Sequence, residues 1–174
     1  MRVRRYLLRF GFGLAIVIVG LLAPSLGWTQ TLPATAGEAL SGKRVVLAEA
    51  VRGHSAVLIA GFGKDAGTAC GDWAKAIRGD KGLVGIALYS VASLEQAPGF
   101  VRGMIKSSMR KGLSAEEQDH FVILTRDEKL WRGYFSVASD KEPYVVLLDA
   151  KGDVLWHGHG LAKDLEPSLS MAAR

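Results

Sequence analysis

One cysteine, Cys70, is all the thiol chemistry this 174-residue chain contains. A single thiol excludes an internal disulfide and excludes dithiol–disulfide exchange within one chain. Other signatures are missing too. There is no Ser-His-Asp spacing and no phosphate loop. Gly61-x-Gly63 falls short of a dinucleotide fingerprint, because the next glycine is Gly67 and no acidic ribose partner follows at the right distance. No repeat and no low-complexity tract interrupts the chain, and beyond its first ten residues no block of basic side chains marks a nucleic-acid footprint.

What is present begins with a leader. Arg2, Arg4, Arg5 and Arg9 precede an apolar run from Phe10 to Ala23, followed by Pro24 and the small residues of Ser25-Leu26-Gly27. This is the pattern of a secretory signal over residues 1–27, so export to the periplasm or to the outer face of the inner membrane is expected. Cleavage is the expected fate. The competing reading is an uncleaved N-terminal anchor, since the run is only somewhat shorter than the roughly 20 residues of a spanning helix. Membrane association is expected only through such an uncleaved leader. The chain carries 22 Lys+Arg against 17 Asp+Glu, and without the leader's four arginines the balance is 18 against 17. The domain proper is therefore close to neutral, which again argues against nucleic acid as a partner. Residues 28–41, with Pro33, Gly37 and several Thr and Ala, read as a flexible lead-in. Residues 42–174 then suit one compact domain.

The body alternates in type. Arg44 to Ala48 and Ala56 to Ala60 read as strands separated by the turn Arg52-Gly53-His54. Gly61 to Thr68 is a glycine-rich loop, and Cys70 to Arg78 sets Trp73, Ala74 and Ile77 on one helical face closed by Gly79. Leu83 to Leu88 reads as a buried strand. Phe100, Val101, Met104, Ile105, Ser108 and Met109 fall at helical spacing after Pro98-Gly99 and predict an amphipathic helix stopping near Gly112; its apolar face is core or, in part, a docking surface. Glu116, Glu117 and Asp119 mark a solvated helix start rather than a catalytic carboxylate pair. Phe121 to Thr125 is a further strand, and Leu130, Trp131, Tyr134 and Phe135 form one or two helical turns whose aromatic face belongs first to the core. Tyr144 to Leu148 is an unbroken apolar run suited to a strand buried on both faces, entered at Pro143. Asp149 to Asp153 then forms a loop with Gly152 placed for positive φ, and Val154-Leu155-Trp156 returns as the second arm of a β-hairpin. Leu161 to Ala173 is a final short helix if Pro167 lies in its first turn.

Strand, helix, strand, helix, strand, short helix and hairpin imply an α/β fold, a central mixed sheet with helices on both faces and a C-terminal β-hairpin. This order resembles the thioredoxin-like superfamily. The resemblance rests on Ser41-Gly42-Lys43 before the first short strand, on Phe62 before a loop and cysteine-bearing helix, and on the proline-headed strand running into an Asp-x-x-Gly hairpin. Within the superfamily, Phe100 to Ile105, Leu130-Trp131-Arg132, and Tyr144 to Asp149 with Gly152 and Trp156 look like the thioredoxin-like ATP synthase assembly factors of the mitochondrial inner membrane. That likeness covers about the second half of the chain. The leader departs from it, because those proteins act on the matrix side.

The resemblance makes Cys70 the residue on which function turns. Counting from Phe62 puts Gly67 in the place of the first, attacking cysteine and Cys70 in the place of the second. If Cys70 instead takes the first place, Trp73 takes the second, and no pair exists in either register. Cys70 is then either a small packing residue or a lone redox thiol activated at a helix N-terminus. Gly67 stands where a single-cysteine peroxidase carries Thr or Ser, and the loop has no proline. The superfamily also places a cis-proline opposite the active cysteine, and Pro143 is the residue positioned to fill that role. His157 and His159 alternate on one strand and share a face, which makes them weak candidate metal ligands that Cys70 and His54 would have to complete. His120 is an edge residue. No cofactor is implied. Two functions stand: a non-catalytic thioredoxin-fold factor that binds another protein, such as a membrane complex under assembly, and a single-cysteine thiol oxidoreductase or peroxidase using Cys70.

Overall fold

The computed structural model describes residues 31–173. The leader and the first residues of the lead-in lie outside them. Seven strands form one sheet: β1 Ala36–Ala39, β2 Arg44–Val46, β3 Ala56–Gly61, β4 Ala87–Ser93, β5 Phe121–Leu124, β6 Tyr144–Leu148 and β7 Val154–His159. Their order is β2-β1-β5-β4-β3-β6-β7. The β3–β4 and β4–β5 pairs are parallel, and the remaining pairs are antiparallel. The helices are α1 Leu47–Ala50, α2 Ala66–Gly79, α3 Gly99–Arg110, α4 Ala115–Asp119, α5 Glu128–Tyr134 and α6 Ala162–Ala172.

Alternation along the inner strands divides the core between the two sheet faces. Val57, Ile59, Val145 and Leu147 face α2 and α6, where Trp73, Ile77 and Leu169 fill the layer. Leu58, Ala60, Leu124 and Val146 face the other way, against Leu47 and Val51 of the α1 region and against Trp131 and Tyr134 of α5 and Phe135 just after it. Ile123 points to the α2 side and meets Ile105 and Met109 of α3. Helices therefore cover both faces, as expected for the α/β class.

The hairpin forms between the residues that the apolar pattern marks. All five residues of β6 are buried. Tyr144 pairs with His159 and Leu147 with Trp156, with an irregularity between Leu147 and Leu148. Its turn is closed by Asp149, whose Oδ1 accepts from the Lys151 and Asp153 backbone N–H groups at 2.8 and 2.9 Å. These donors, that of Asp153 foremost, hold the Asp149 carboxyl below the usual carboxylate range. Gly152 has φ +89°, the left-handed conformation this turn requires.

Several expectations are corrected. Part of the lead-in is a sheet strand: β1 pairs with both β2 and β5. At Gly37 it runs so close to its neighbour that a Cβ would sit 2.4 Å from Val122 Cγ1. The strand begun at Arg44 ends at Val46, because Leu47 and Val51, one helical turn apart, both bury their side chains in the core through α1. The strand expected at 83–88 starts instead at Ala87, since Leu83 belongs to a 3₁₀ turn, Lys81–Leu83, capped by the Asp80 carboxylate, and Gly85 turns the chain with φ +88°. Pro167 is the sixth residue of α6, not a first-turn residue. It leaves the Lys163 carbonyl without its helical donor, and the helix persists because Leu169 beyond it is fully buried. The helix start expected at Glu116 and Glu117 is α4, which opens on a capping box in which Ser114 and Glu117 exchange side-chain and backbone hydrogen bonds of 3.2 and 2.7 Å.

Candidate functional site

Because β3, β4 and β5 are parallel, their carboxyl ends meet at one end of the sheet, the end at which open α/β sheets gather functional loops. Phe62 and the glycine-rich loop leave β3 there. Antiparallel β6 enters at the same end, bringing Pro143 and the 136–142 loop with it. The two loops touch: a Cβ on Gly63 would lie 2.5 Å from the Asp140 carbonyl oxygen, so only glycine fits at that position. The incoming loop is tied to Tyr144, whose hydroxyl accepts from the Ala138 and Ser139 N–H groups at 2.9 and 2.8 Å and donates to the Ser139 carbonyl at 3.1 Å.

Cys70 is the fifth residue of α2. It stands beyond the first turn, where the helix dipole and free N–H groups act most strongly on an anion. Its Sγ lies under β3, and a Cβ on Gly61 would approach it to 3.0 Å. The surroundings are apolar, the layer of Val57, Ile59 and Trp73. Burial pushes the thiol up to about 12, so at neutral pH Cys70 is a protonated thiol. Gly67, one turn earlier in α2, has open space where a side chain would project.

A polar cluster beside this end was not anticipated from the sequence. Glu128, first residue of α5 and only 7 % exposed, accepts a hydrogen bond from Ser93 Oγ at the end of β4. Its backbone N–H donates to Glu95 Oε2 at 2.6 Å. Arg132, one helical turn on, reaches back to Glu128 at 3.4 Å and forward to Asp140 at 2.6 Å, while its guanidinium lies 5.5 Å from the Phe62 ring centroid. Arg132 thereby links α5, the loop before β6 and the phenylalanine after β3. The i, i+4 spacing of Glu128 and Arg132 was the readable signal. Asp127 at φ +60° and Ser136 at φ +52°, the two left-handed non-glycine residues among those described, flank this helix. A cavity of ≈ 180 Å³ opens between the end of α5 and the hairpin, lined in part by Tyr134, Tyr144 and His157.

The two strand histidines lie apart from the other candidate ligands. His157 and His159 share one exposed face of β7. His159 stacks on Tyr144 with centroids 5.5 Å apart, and its Nδ1 hydrogen-bonds Glu142 Oε2 at 2.8 Å. Among the described residues no three His, Cys, Asp or Glu side chains converge, so neither Cys70 nor His54 joins the pair. His120 caps α4 and sets its ring edge-on to Tyr89 at 4.9 Å.

No family model matches the sequence, and no curated protein matches it. Solved structures do match. One is BsSco, a member of the Sco family of cytochrome c oxidase assembly proteins, with TM-score 0.56, 16 % identity, 84 % of this chain covered and 95 % of that one. A second is MTB dsbF, seen in mixed oxidised and reduced forms, with TM-score 0.54, 18 % identity and coverage of 83 % and 98 %. A third is Etrx1, an exposed lipoprotein thioredoxin of Streptococcus pneumoniae, with TM-score 0.52, 15 % identity and coverage of 79 % and 97 %. The fold is thioredoxin-like.

Two departures from a working thioredoxin-like site are visible. The place one turn before Cys70 is Gly67, so no second thiol faces Cys70. The Glu142–Pro143 peptide is trans, as is every peptide bond among the described residues. Pro143 is buried at the start of β6, and its carbonyl accepts from the Gly160 N–H at 3.2 Å. Pro143, the residue positioned to fill the superfamily's cis-proline place, is therefore a trans-proline here.

Proposed function

We propose that this thioredoxin-like protein is an exported, non-catalytic factor that binds another protein at the cell envelope, in the periplasm or on the outer face of the inner membrane, and serves the assembly of a membrane complex. The observation that carries the reading is the state of Cys70, a lone thiol packed beneath β3 and driven toward its neutral form by burial. A thiol redox centre needs thiolate at working pH, and this arrangement opposes it. The basic and apolar leader supports export. The likeness of the second half to the ATP synthase assembly factors supports an assembly role, and the structural similarity to BsSco is consistent with one. The alternative, a single-cysteine oxidoreductase or peroxidase, keeps Cys70 at its centre but needs a depressed thiol pKa.

Two measurements decide between them. Alkylation of Cys70 in the full chain, followed against pH beside the denatured protein, should be slow until the fold opens; fast labelling near neutral pH overturns the non-catalytic reading. In cells lacking the protein, the yield of assembled respiratory complexes on native gels should fall, and Cys70→Ala should restore it as well as the wild type does. Restoration by the wild type alone would return the function to the thiol.

A further inference from the structure

Helix α3 has twelve residues and, unlike α2 and α6, no fully buried side chain. Its inner edge is half-buried, with Ile105 and Met109 against Leu40, Leu94 and Ile123. Its outer edge carries Phe100 and Met104, one helical turn apart and 87 % and 73 % exposed. Gly103 and Ser107 flank them, too small to screen either side chain. Neither large side chain is used by the fold, and an exposed aromatic–methionine pair on one helix marks a contact surface.

The charge of this segment of sequence has one sign. From Gln96 to Ala115 there is no Asp or Glu, while Arg102, Lys106, Arg110 and Lys111 all lie within the segment. Arg102 and Lys106 lie on the side of the helix turned away from Phe100 and Met104 and are half-buried, whereas exposed Lys111, seven residues after Met104, shares the apolar stripe's face and exposed Arg110 borders it. Arg102 donates to the backbone carbonyls of Ala97 and Glu95, and Arg110 to that of Leu40. Among the described residues, only Lys106 of the four finds an acidic partner, Glu38. An exposed face that holds Phe100, Met104, Arg110 and Lys111 and no acidic side chain of the helix fits a helix lying in the plane of a membrane surface, where apolar side chains enter the headgroup boundary and cations meet lipid phosphates. The topology agrees. α3 begins where β4 ends, and β1, antiparallel to β5, starts at that same end of the sheet, held by Thr35 Oγ donating to Asp127 Oδ2 at 3.0 Å. The described chain therefore enters the sheet at the Phe100 end.

We propose that α3 rests on an anionic bilayer, Phe100 and Met104 inserting at the headgroup level while Arg110 and Lys111 face the lipid phosphates. This contact is separate from the leader and independent of the state of Cys70. The test uses the full chain with Cys70→Ala and a single new thiol carrying an environment-sensitive dye, either Met104→Cys on α3 or Lys151→Cys in the hairpin turn at the opposite end of the sheet. Vesicles are phosphatidylcholine with or without phosphatidylglycerol, and the readout is quenching by acrylamide. The dye at 104 should become shielded and blue-shifted only when phosphatidylglycerol is present, and the dye at 151 should not change. Arg110→Gln and Lys111→Gln should each raise the vesicle concentration needed by about fivefold, and Phe100→Ser should reduce the shielding at 104. Equal quenching of the 104 dye with and without anionic lipid overturns the proposal even if the leader holds the chain on the vesicle, and leaves an acidic protein as the partner that fits the stripe. Equal shielding of 104 and 151 overturns it as well.

Discussion

Helices α2 and α3 make the same kind of connection, each carrying the chain between neighbouring parallel strands and each lying on the same face of the sheet. They differ in what they do with their apolar residues. α2 spends its own on the core: Ala66, Trp73, Ala74 and Ile77 are buried, and Trp73 Nε1 donates to the Gly160 carbonyl at 2.8 Å to tie α2 to the start of α6. α3 buries none fully and turns Phe100 and Met104 outward. The helix with the reactive residue type is thus the packing element, and the helix without one is the open surface. On the non-catalytic reading proposed above, the place to look for function moves from the thiol to the surface.

The largest expected effect tests α2 as packing. Trp73→Ala should destabilise the domain by about 3–5 kcal/mol, the range for removing a buried tryptophan, with a further contribution from the unpaired Gly160 carbonyl. Urea unfolding followed by circular dichroism measures it. A cost below about 1 kcal/mol would erase the contrast between the helices. Next in size is Gly61→Ala, whose new Cβ would sit 3.0 Å from Cys70 Sγ. Overpacking of this kind costs about 1–3 kcal/mol, and the cost should shrink in a Cys70→Ala background, where the sulfur is gone. Additive behaviour in that double-mutant cycle would mean that Cys70 is not the neighbour that fills the space.

Cys70 as packing also has a pH signature. Its pKa is raised in the folded state from 9.0 to about 12, so the folded chain holds a proton that the unfolded chain releases. The stabilisation is complete below pH 9.0 and is lost as pH climbs toward about 12. Tyr134 and Tyr89, also raised by burial, act in the same direction from 10.0 upward. By pH 10 the thiol's share should be about 1 kcal/mol. Unfolding titrations at pH 8 and pH 10 should show a loss that Cys70→Ala reduces; an unchanged pH slope in the variant means a thiol with an ordinary pKa.

Much of the fold was legible because its strongest elements are contiguous. The hairpin has an apolar run of strand length, a positive-φ glycine in its turn and a second apolar run, and all three signals agree. β1 was not legible, since Ala36-Gly37-Glu38-Ala39 has no strand-forming side chain and owes its conformation to pairing with β2 and β5. The site was half legible. Cys70 falls on the expected helix, but its depth beneath Gly61 is a tertiary fact. Likewise Ser93, Glu128, Arg132 and Asp140 come together from three separate segments, and only the Glu128–Arg132 spacing lay in one stretch of sequence. Helical periodicity grouped Phe100 with Ile105 on one apolar face, whereas the narrow contact of α3 with the sheet buries only one side of that face.

The smallest expected change in stability carries the other half of the comparison. Phe100→Ser and Met104→Ser should leave the unfolding midpoint within about 0.5 kcal/mol of wild type, as for exposed positions that touch nothing, while Trp73→Ala in the neighbouring helix costs several times more. Urea unfolding of the same chain without lipid is the measurement, repeated at two protein concentrations. A clear loss of stability that grows with concentration would mean that the outer edge of α3 is covered by a second copy of the chain. A loss independent of concentration would mean that Phe100 and Met104 serve the fold itself. If stability is unchanged and only binding to anionic vesicles falls, the two side chains are kept for the surface they touch, and the contrast between a helix that packs and a helix that docks stands.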